Sequence, residues 1–103
     1  MKVFVSYTQK DNVITKEQLS KVYSFFSQNK INSYIDCLVP NTTQEKVENE
    51  LKTSTLLLLV KTYNVYDSKW VNKELSLAKE YNIPIIEKKY EDIFSTDFSI
   101  NCI

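Results

Sequence analysis

Trp70 and Glu74 are four positions apart, so on a helix the indole ring and the carboxylate lie on the same side. The indole ring would then flank the carboxylate, and the two side chains could belong to one functional site. The same spacing also fits a tryptophan that belongs to the core and a glutamate whose charge only favours the helix dipole. Spacing alone therefore leaves both a catalytic and a structural interpretation of Glu74 open.

Four more polar residues stand where predicted strands end. Ser6, Tyr7 and Thr8 follow the apolar run 3–5, and Asp36 ends a second apolar segment. In open α/β sheets, ligands bind beyond the carboxyl ends of the strands, which is where these side chains would meet. Hydrogen bonds within a turn and the capping of a loop are the structural alternatives for them.

Four segments have the apolar, β-branched or aromatic composition that is typical of strands. The segment 55–60 is apolar on both faces, which predicts a central strand in a parallel sheet that helices cover. The predicted strands are Met1 to Tyr7, Asn32 to Asp36, Thr55 to Val60 and Ile83 to Ile86.

Residues that can cap a helix precede three amphipathic segments, the first of which extends over about Lys16 to Asn29. The capping residues are the pair Thr15 and Gln18, the pair Thr42 and Glu45, and either Asp67 or Ser68. The faces predicted to be buried are Leu19, Val22, Tyr23 and Phe26 in the first helix, Val47 and Leu51 in the second, and Val71, Leu75 and Ala78 in the third.

The alternation of strands and helices predicts one α/β domain over residues 1–103. We expect a flavodoxin-like, three-layer arrangement with a mainly parallel sheet of four or five strands in the order 2-1-3-4-5. After Glu87 the pattern weakens, and the segment from Tyr90 to Ile103 is expected to hold either a short edge strand or a frayed tail.

Composition excludes several classes of function. The chain has no histidine, no glycine and no arginine, which removes histidine-dependent hydrolases, imidazole metal sites and glycine-rich phosphate loops. Thirteen basic and thirteen acidic residues give a net charge of zero, so neither nucleic acid nor an anionic membrane is an expected partner. The two cysteines, Cys37 and Cys102, are too few for a disulfide framework or a four-thiolate zinc site. Without a secretory signal or a long apolar run, a cytoplasmic location is expected.

Several motifs, in order and with matching spacing, resemble the Toll/interleukin-1 receptor (TIR) domain family over about residues 2–88. They are the first strand Lys2-Val3-Phe4-Val5-Ser6-Tyr7, the segment Ser33-Tyr34-Ile35-Asp36, the run Leu56 to Val60, the helix start Trp70-Val71-Asn72-Lys73-Glu74, and Pro84-Ile85-Ile86. The chain departs from the family in a short loop after Asp36 without glycine, in a truncated or missing final strand and helix, and in having no arginine after Tyr7.

The resemblance implies an activity and a site. In enzymatic TIR domains the helix glutamate cleaves the nicotinamide-ribose bond of NAD, sometimes with cyclisation of the product, in signalling or defence. The matching position is Glu74, and NAD would be the substrate, with no cofactor and no metal. Residues matching the substrate pocket are Ser6, Tyr7, Thr8, Asp36 and Trp70. TIR-TIR self-association is a further expectation.

Two other functions fit the same sequence: a TIR module that only binds a partner, and an enzyme similar to nucleoside deoxyribosyltransferases, which also use a carboxylate at the sheet rim. A receiver domain does not fit, because Tyr7-Thr8 and Lys61-Thr62 stand where its acidic residues would be. The ionisation of Glu74 also stays open: the first turn of a helix favours the charged carboxylate, whereas burial by Trp70 opposes it.

Overall fold

Four parallel strands form one sheet at the centre of the computed structural model, which describes residues 1–10, 13–39 and 43–93. The strands are β1 (Lys2–Ser6), β2 (Asn32–Tyr34), β3 (Leu56–Lys61) and β4 (Ile85–Lys89), and they lie in the order β2-β1-β3-β4. The parallel α/β architecture and the order of these four strands confirm the predicted fold class. The alternative of a fifth strand is not seen in the described part of the chain.

The helices are α1 (Lys16–Gln28), α2 (Gln44–Lys52), α3 (Lys69–Glu80) and the short α4 (Tyr90–Ile93). Two 3-10 helices, Asp36–Leu38 and Val65–Asp67, follow β2 and β3. Tyr90 to Ile93 are thus helical instead of an edge strand, and residues 94–103 lie outside the described part of the chain.

The sheet separates two hydrophobic clusters, because successive side chains of a strand point to opposite faces. Val3 and Val5 of β1 pack with α1 and with Ile93 of α4. Phe4, between them, packs on the other face with α2 and α3. β3 alternates in the same way, since Leu58 and Leu59 belong to different clusters. The molecule therefore has three layers, and the face to which a β1 residue points decides which helices it meets.

Helix α1 begins as predicted, since the Thr15 hydroxyl accepts from the Gln18 amide and the Gln18 side chain accepts from the Thr15 amide, at 3.2 and 2.9 Å. The prediction that Tyr23 belongs to the buried face of α1 is wrong, because its side chain is 48% exposed. Leu19, Val22 and Phe26 fill the contact with the sheet, so Tyr23 turns towards solvent.

The cap of α2 is one residue later than predicted. Thr43, not Thr42, accepts a hydrogen bond from the Lys46 amide at 3.2 Å, and Thr42 lies outside the described residues. Two adjacent threonines offer the same chemistry, so the sequence pattern does not distinguish them. At α3 the cap is Ser68, whose hydroxyl accepts from the Val71 amide at 3.2 Å.

Strand β4 begins at Ile85 instead of Ile83, because Ile83 completes the end of α3. Its amide donates to the Ala78 carbonyl at 2.8 Å, and Asn82 has φ of 57°. Lys30, after α1, has φ of 59° and the Ile31 amide donates to Phe26 in the same way. Both ends use the left-handed residue that usually is glycine, which this chain lacks.

Candidate active site at the carboxyl edge of the sheet

Glu74 lies on the buried face of α3, where it is only 5% exposed. The three buried residues of this helix are Val71, Glu74 and Ala78, whereas Leu75 is only half-buried. The predicted face is confirmed for Val71 and Ala78, and Leu75 packs against the same cluster, but the carboxylate of Glu74 also takes a position that faces the sheet. A charged residue at such a position needs compensating hydrogen bonds or a functional reason.

The residue opposite Glu74 on the sheet is Ser6, the last residue of β1. It points to the same face as Phe4 because strand side chains alternate, and this face is covered by α3. Its hydroxyl donates to Oε1 of Glu74 at 2.8 Å, and the Ser6 side chain is completely buried. Ser6 is predicted to bind substrate, but the structure places it beneath the carboxylate and outside the lining of the cleft.

A cleft of about 210 Å³ opens above this hydrogen bond. It brings together five of the predicted site residues, which are Glu74, Tyr7, Thr8, Asp36 and Trp70. Three lining residues, Val5, Gln9 and Ser68, were not predicted as site residues. Gln9 follows Thr8 in the same loop, so the strand-end rule extended by one residue would have found it. Ser68 could have been found only as the predicted cap of the helix that carries Trp70 and Glu74. The roles of all these residues in substrate binding stay predictions.

One wall of the cleft is tied together by Tyr7. Its hydroxyl accepts a hydrogen bond from the Cys37 amide at 2.9 Å, which joins the end of β1 to the 3-10 helix after β2. Burial, together with the neighbouring Cys37 thiol and the Asp36 charge, holds the pKa of Tyr7 far above its ordinary value. Tyr7 therefore stays neutral, and it supports the turn that carries Asp36.

The start of α3, which lines the cleft with Ser68, is joined to the loop after β1. The Thr8 hydroxyl accepts from the Lys10 amide at 3.1 Å, which closes a local turn. The Lys10 ammonium in turn donates to the Asp67 carbonyl at 3.3 Å, next to the Ser68 cap of α3. The residues that line the cleft in the described part of the chain include no lysine.

The ionisation of Glu74 is decided mainly by burial. Burial raises its pKa to about 7, the Ser6 hydrogen bond opposes this, the nearby Asp36 charge adds to it, and the Trp70 side chain lowers it slightly. The expectation that Glu74 stands in the first helical turn is wrong, because α3 begins at Lys69 and its first turn has no acidic residue. The dipole falls off within the first turn, so its effect on Glu74 is small. The carboxylate therefore changes charge near neutral pH.

The arrangement can stabilise positive charge at a substrate held between Trp70, Tyr7 and the Glu74 carboxylate. The volume of the cleft, about 210 Å³, is smaller than the roughly 300 to 1,000 Å³ of pockets that bury drug-sized ligands. The cleft can therefore enclose one end of a larger molecule.

The described residues contain no cluster of three or more acidic, histidine or cysteine side chains that could hold a metal ion. None of the helices in residues 1–10, 13–39 and 43–93 has the length and apolar character needed to span a bilayer.

Comparison with known proteins agrees with this fold. The family model described as "Thoeris protein ThsB, TIR-like domain" matches residues 4–92. A solved structure of the TIR domains of the activated Roq1 resistosome, directly recognizing the pathogen effector XopQ, is similar in fold, with a TM-score of 0.66 and 15% sequence identity. The match covers 85% of this chain and 56% of that chain, so this chain spans little more than half its length. No curated protein sequence matches the chain.

Proposed function

Since the chain belongs to this TIR-like domain family, we propose that it cleaves the nicotinamide-ribose bond of NAD, as a glycohydrolase or a cyclase, with Glu74 as the catalytic carboxylate. The observation that carries the proposal is the position of Glu74, which is nearly buried yet lines one cleft with Tyr7 and Asp36. A domain that only binds partners does not need a carboxylate in the buried stripe of a helix. We propose that the activity serves signalling or defence in the cytoplasm.

The proposed chemistry needs little beyond a charged carboxylate. Nicotinamide leaves as a neutral molecule from a cationic precursor, so its departure requires no general acid. The ribose left behind develops oxocarbenium character, and a nearby carboxylate stabilises this positive charge. A water molecule gives the linear product, whereas a hydroxyl or a ring nitrogen elsewhere on ADP-ribose gives a cyclic one. The absence of histidine from the sequence is therefore compatible with the reaction.

The cleft suits one end of NAD. Trp70, 41% exposed, and half-buried Tyr7 offer aromatic surface for the nicotinamide ring, and the hydroxyl of Thr8 and the amide of Gln9 offer polar contacts for the ribose. The rest of the dinucleotide would extend along the outside of the domain, because the cleft volume is about 210 Å³. TIR-TIR self-association, which could cover that part of NAD, belongs to the same proposal.

The direct test is nicotinamide release. Concentrated protein is incubated with NAD, the products are separated by chromatography, and the experiment is repeated with Glu74→Gln. The matched control is Glu80→Gln, the same substitution at an exposed position of the same helix. We expect the wild type and Glu80→Gln to release nicotinamide. The rate of release by Glu74→Gln should be at least a hundredfold lower, as when other charge-stabilising groups are removed from enzymes.

Two outcomes would contradict the proposal. Equal release by the Glu74→Gln variant would remove the catalytic assignment of that residue. Release of a free base from deoxynucleosides, with NAD left intact, would favour the deoxyribosyltransferase-like alternative.

Binding can be measured separately, because Trp70 is the only tryptophan of the chain and lines the cleft. Titration of Glu74→Gln with NAD should change tryptophan fluorescence saturably without turnover. Bound NAD without cleavage by the wild type would support a binding module instead of an enzyme.

A further inference from the structure

Ser6 and Glu74 form a buried polar pair where the sheet meets α3. Phe4, two residues before Ser6 on the same face of β1, packs in the hydrophobic cluster under α2 and α3, and Val71 and Ala78 flank Glu74 in that cluster. Ser6 is 0% exposed and Glu74 is 5% exposed, and the Ser6 hydroxyl lies 2.8 Å from Oε1. The pair thus occupies facing positions that apolar side chains would ordinarily fill.

We propose that Ser6 is a positioning residue, which holds the Glu74 carboxylate in one orientation and in its charged form for the reaction. The inference rests on the proposed function, and it gives Ser6 a role different from the predicted contact with substrate. Ser6 does not reach the cleft, so any effect on the reaction passes through Glu74.

The hydrogen bond fixes the carboxylate in two ways. A donor on Oε1 restricts rotation of the carboxylate, so that its orientation towards the cleft is set before substrate arrives. The same donor stabilises the charged form of a buried acid, because hydrogen bonding to an anion lowers its pKa. Replacing both Ser6 and Glu74 by apolar side chains of the same shape could leave the stability of the fold unchanged, so stability alone does not require this hydrogen bond.

The other groups that face Glu74 do not replace this donor. Asp36, on the 3-10 helix after β2, is a like charge and favours the neutral acid. Tyr7, at the end of β1, is neutral, and its hydroxyl accepts from the Cys37 amide. On α3, the Trp70 side chain favours the charged form less than Ser6 does, and the Ser68 hydroxyl caps the helix by accepting from the Val71 amide.

The test compares Ser6→Ala and Ser6→Cys with the wild type. The matched control is Ser33→Ala, since Ser33 stands on the neighbouring strand β2 and its hydroxyl is buried without a hydrogen-bond partner among the described residues. Titration of the Glu74 carboxyl carbon is followed by ¹³C NMR in the free protein, with the signal assigned by its loss in Glu74→Gln. The pH dependence of nicotinamide release is measured alongside.

We expect Ser6→Ala to move the Glu74 titration upward by about one pH unit, the size of a hydrogen bond to a charged group. The acid limb of the pH profile of kcat/KM should move with it, so that kcat/KM falls about tenfold on that limb and less above it. Ser6→Cys, with a weaker donor, should lie between wild type and Ser6→Ala, and Ser33→Ala should coincide with the wild type.

A titration that does not move in Ser6→Ala overturns the proposal, as does an equal loss of kcat/KM at every pH, which is the mark of a merely structural role. The NMR arm requires no turnover. A shifted titration in a protein that leaves NAD intact would therefore count against the proposed reaction and still support the coupling of Ser6 to Glu74.

Discussion

Asp36 and Glu74 bring two carboxylates to the same cleft, one from the 3-10 helix after β2 and the other from the buried face of α3. Burial of Glu74 is the main reason that its pKa rises to about 7, and the Asp36 charge raises it further. Burial and a neighbouring like charge both raise the pKa of a carboxyl group towards neutrality, and carboxyl groups of this kind are common at functional sites. The relationship makes the charge of Glu74 sensitive to its neighbours, and three predictions follow from it.

The rate of nicotinamide release should depend on pH. The proposed role requires the charged carboxylate, and with a pKa of about 7 this form increases as pH rises through neutrality. We expect kcat/KM, which reports the free protein, to rise about tenfold between pH 6 and pH 8 and to approach a plateau above that. Stopped assays across this range measure it. A rate that falls over the same interval would indicate that the neutral acid is the active form.

Replacing Asp36 by asparagine should lower the pKa of Glu74, because a like charge is removed while shape is kept. Burial remains the largest cause, so the pKa should stay above the ordinary value of a glutamate. The carboxyl titration in the free protein is the appropriate measurement, since Asp36 is itself a predicted substrate-binding residue. Asp92→Asn on α4, an exposed position, is the control and should leave the titration unchanged.

Glu74→Gln should stabilise the fold at alkaline pH. The pKa of Glu74 is higher in the folded protein than the ordinary 4.5, so the folded state binds more protons between these values. Wild-type stability therefore falls as pH rises from about 4.5 to 7, by up to about 3 kcal/mol in free energy of unfolding. Glutamine keeps an acceptor for Ser6 and carries no charge. Urea unfolding at pH 8 and pH 4 should show a gain at the first pH that shrinks at the second.

The exposed Glu80→Gln variant supplies the comparison for that experiment. Surface substitutions usually change stability by no more than about 0.5 kcal/mol. Equal stability of the Glu74→Gln variant and the wild type at pH 8 would mean that the buried carboxylate costs nothing, contrary to its raised pKa.

Lys30→Gly should stabilise the protein even though glycine costs entropy. Lys30 has φ of 59°, which costs a non-glycine residue about 1 to 2 kcal/mol. Glycine loses about 0.4 to 1 kcal/mol through the greater freedom of the unfolded chain. The net gain is roughly 0.5 to 1 kcal/mol in free energy of unfolding. Lys21→Gly within α1 is the opposing control and should destabilise by about 1 kcal/mol. A loss of stability in Lys30→Gly contradicts the argument.

Local patterns in the sequence were sufficient for the order and type of the four strands and the first three helices, but not for the two 3-10 helices or for α4. The Thr15 cap depends on a residue only three positions away, and the alternation in β1 and the doubly apolar β3 reflect burial of a sheet on both faces. The strand-end rule and the helical spacing of Trp70 and Glu74 together named five of the eight residues that line the cleft. Where two neighbours could serve equally, as at Thr42 and Thr43, the pattern was accurate only to within a residue.

The sequence by itself thus determined a parallel α/β domain of the TIR type with Glu74 near the sheet rim. Only the tertiary structure decided that Glu74 faces the sheet, that Ser6 lies beneath it and that Tyr23 is exposed. These outcomes depend on how α1 and α3 are rotated against the strands, which no local pattern specifies. The raised pKa of Glu74 also depends on the tertiary structure, because the residues that bury its carboxylate are distant in sequence. The helix dipole, by contrast, is a local effect that the sequence pattern can indicate.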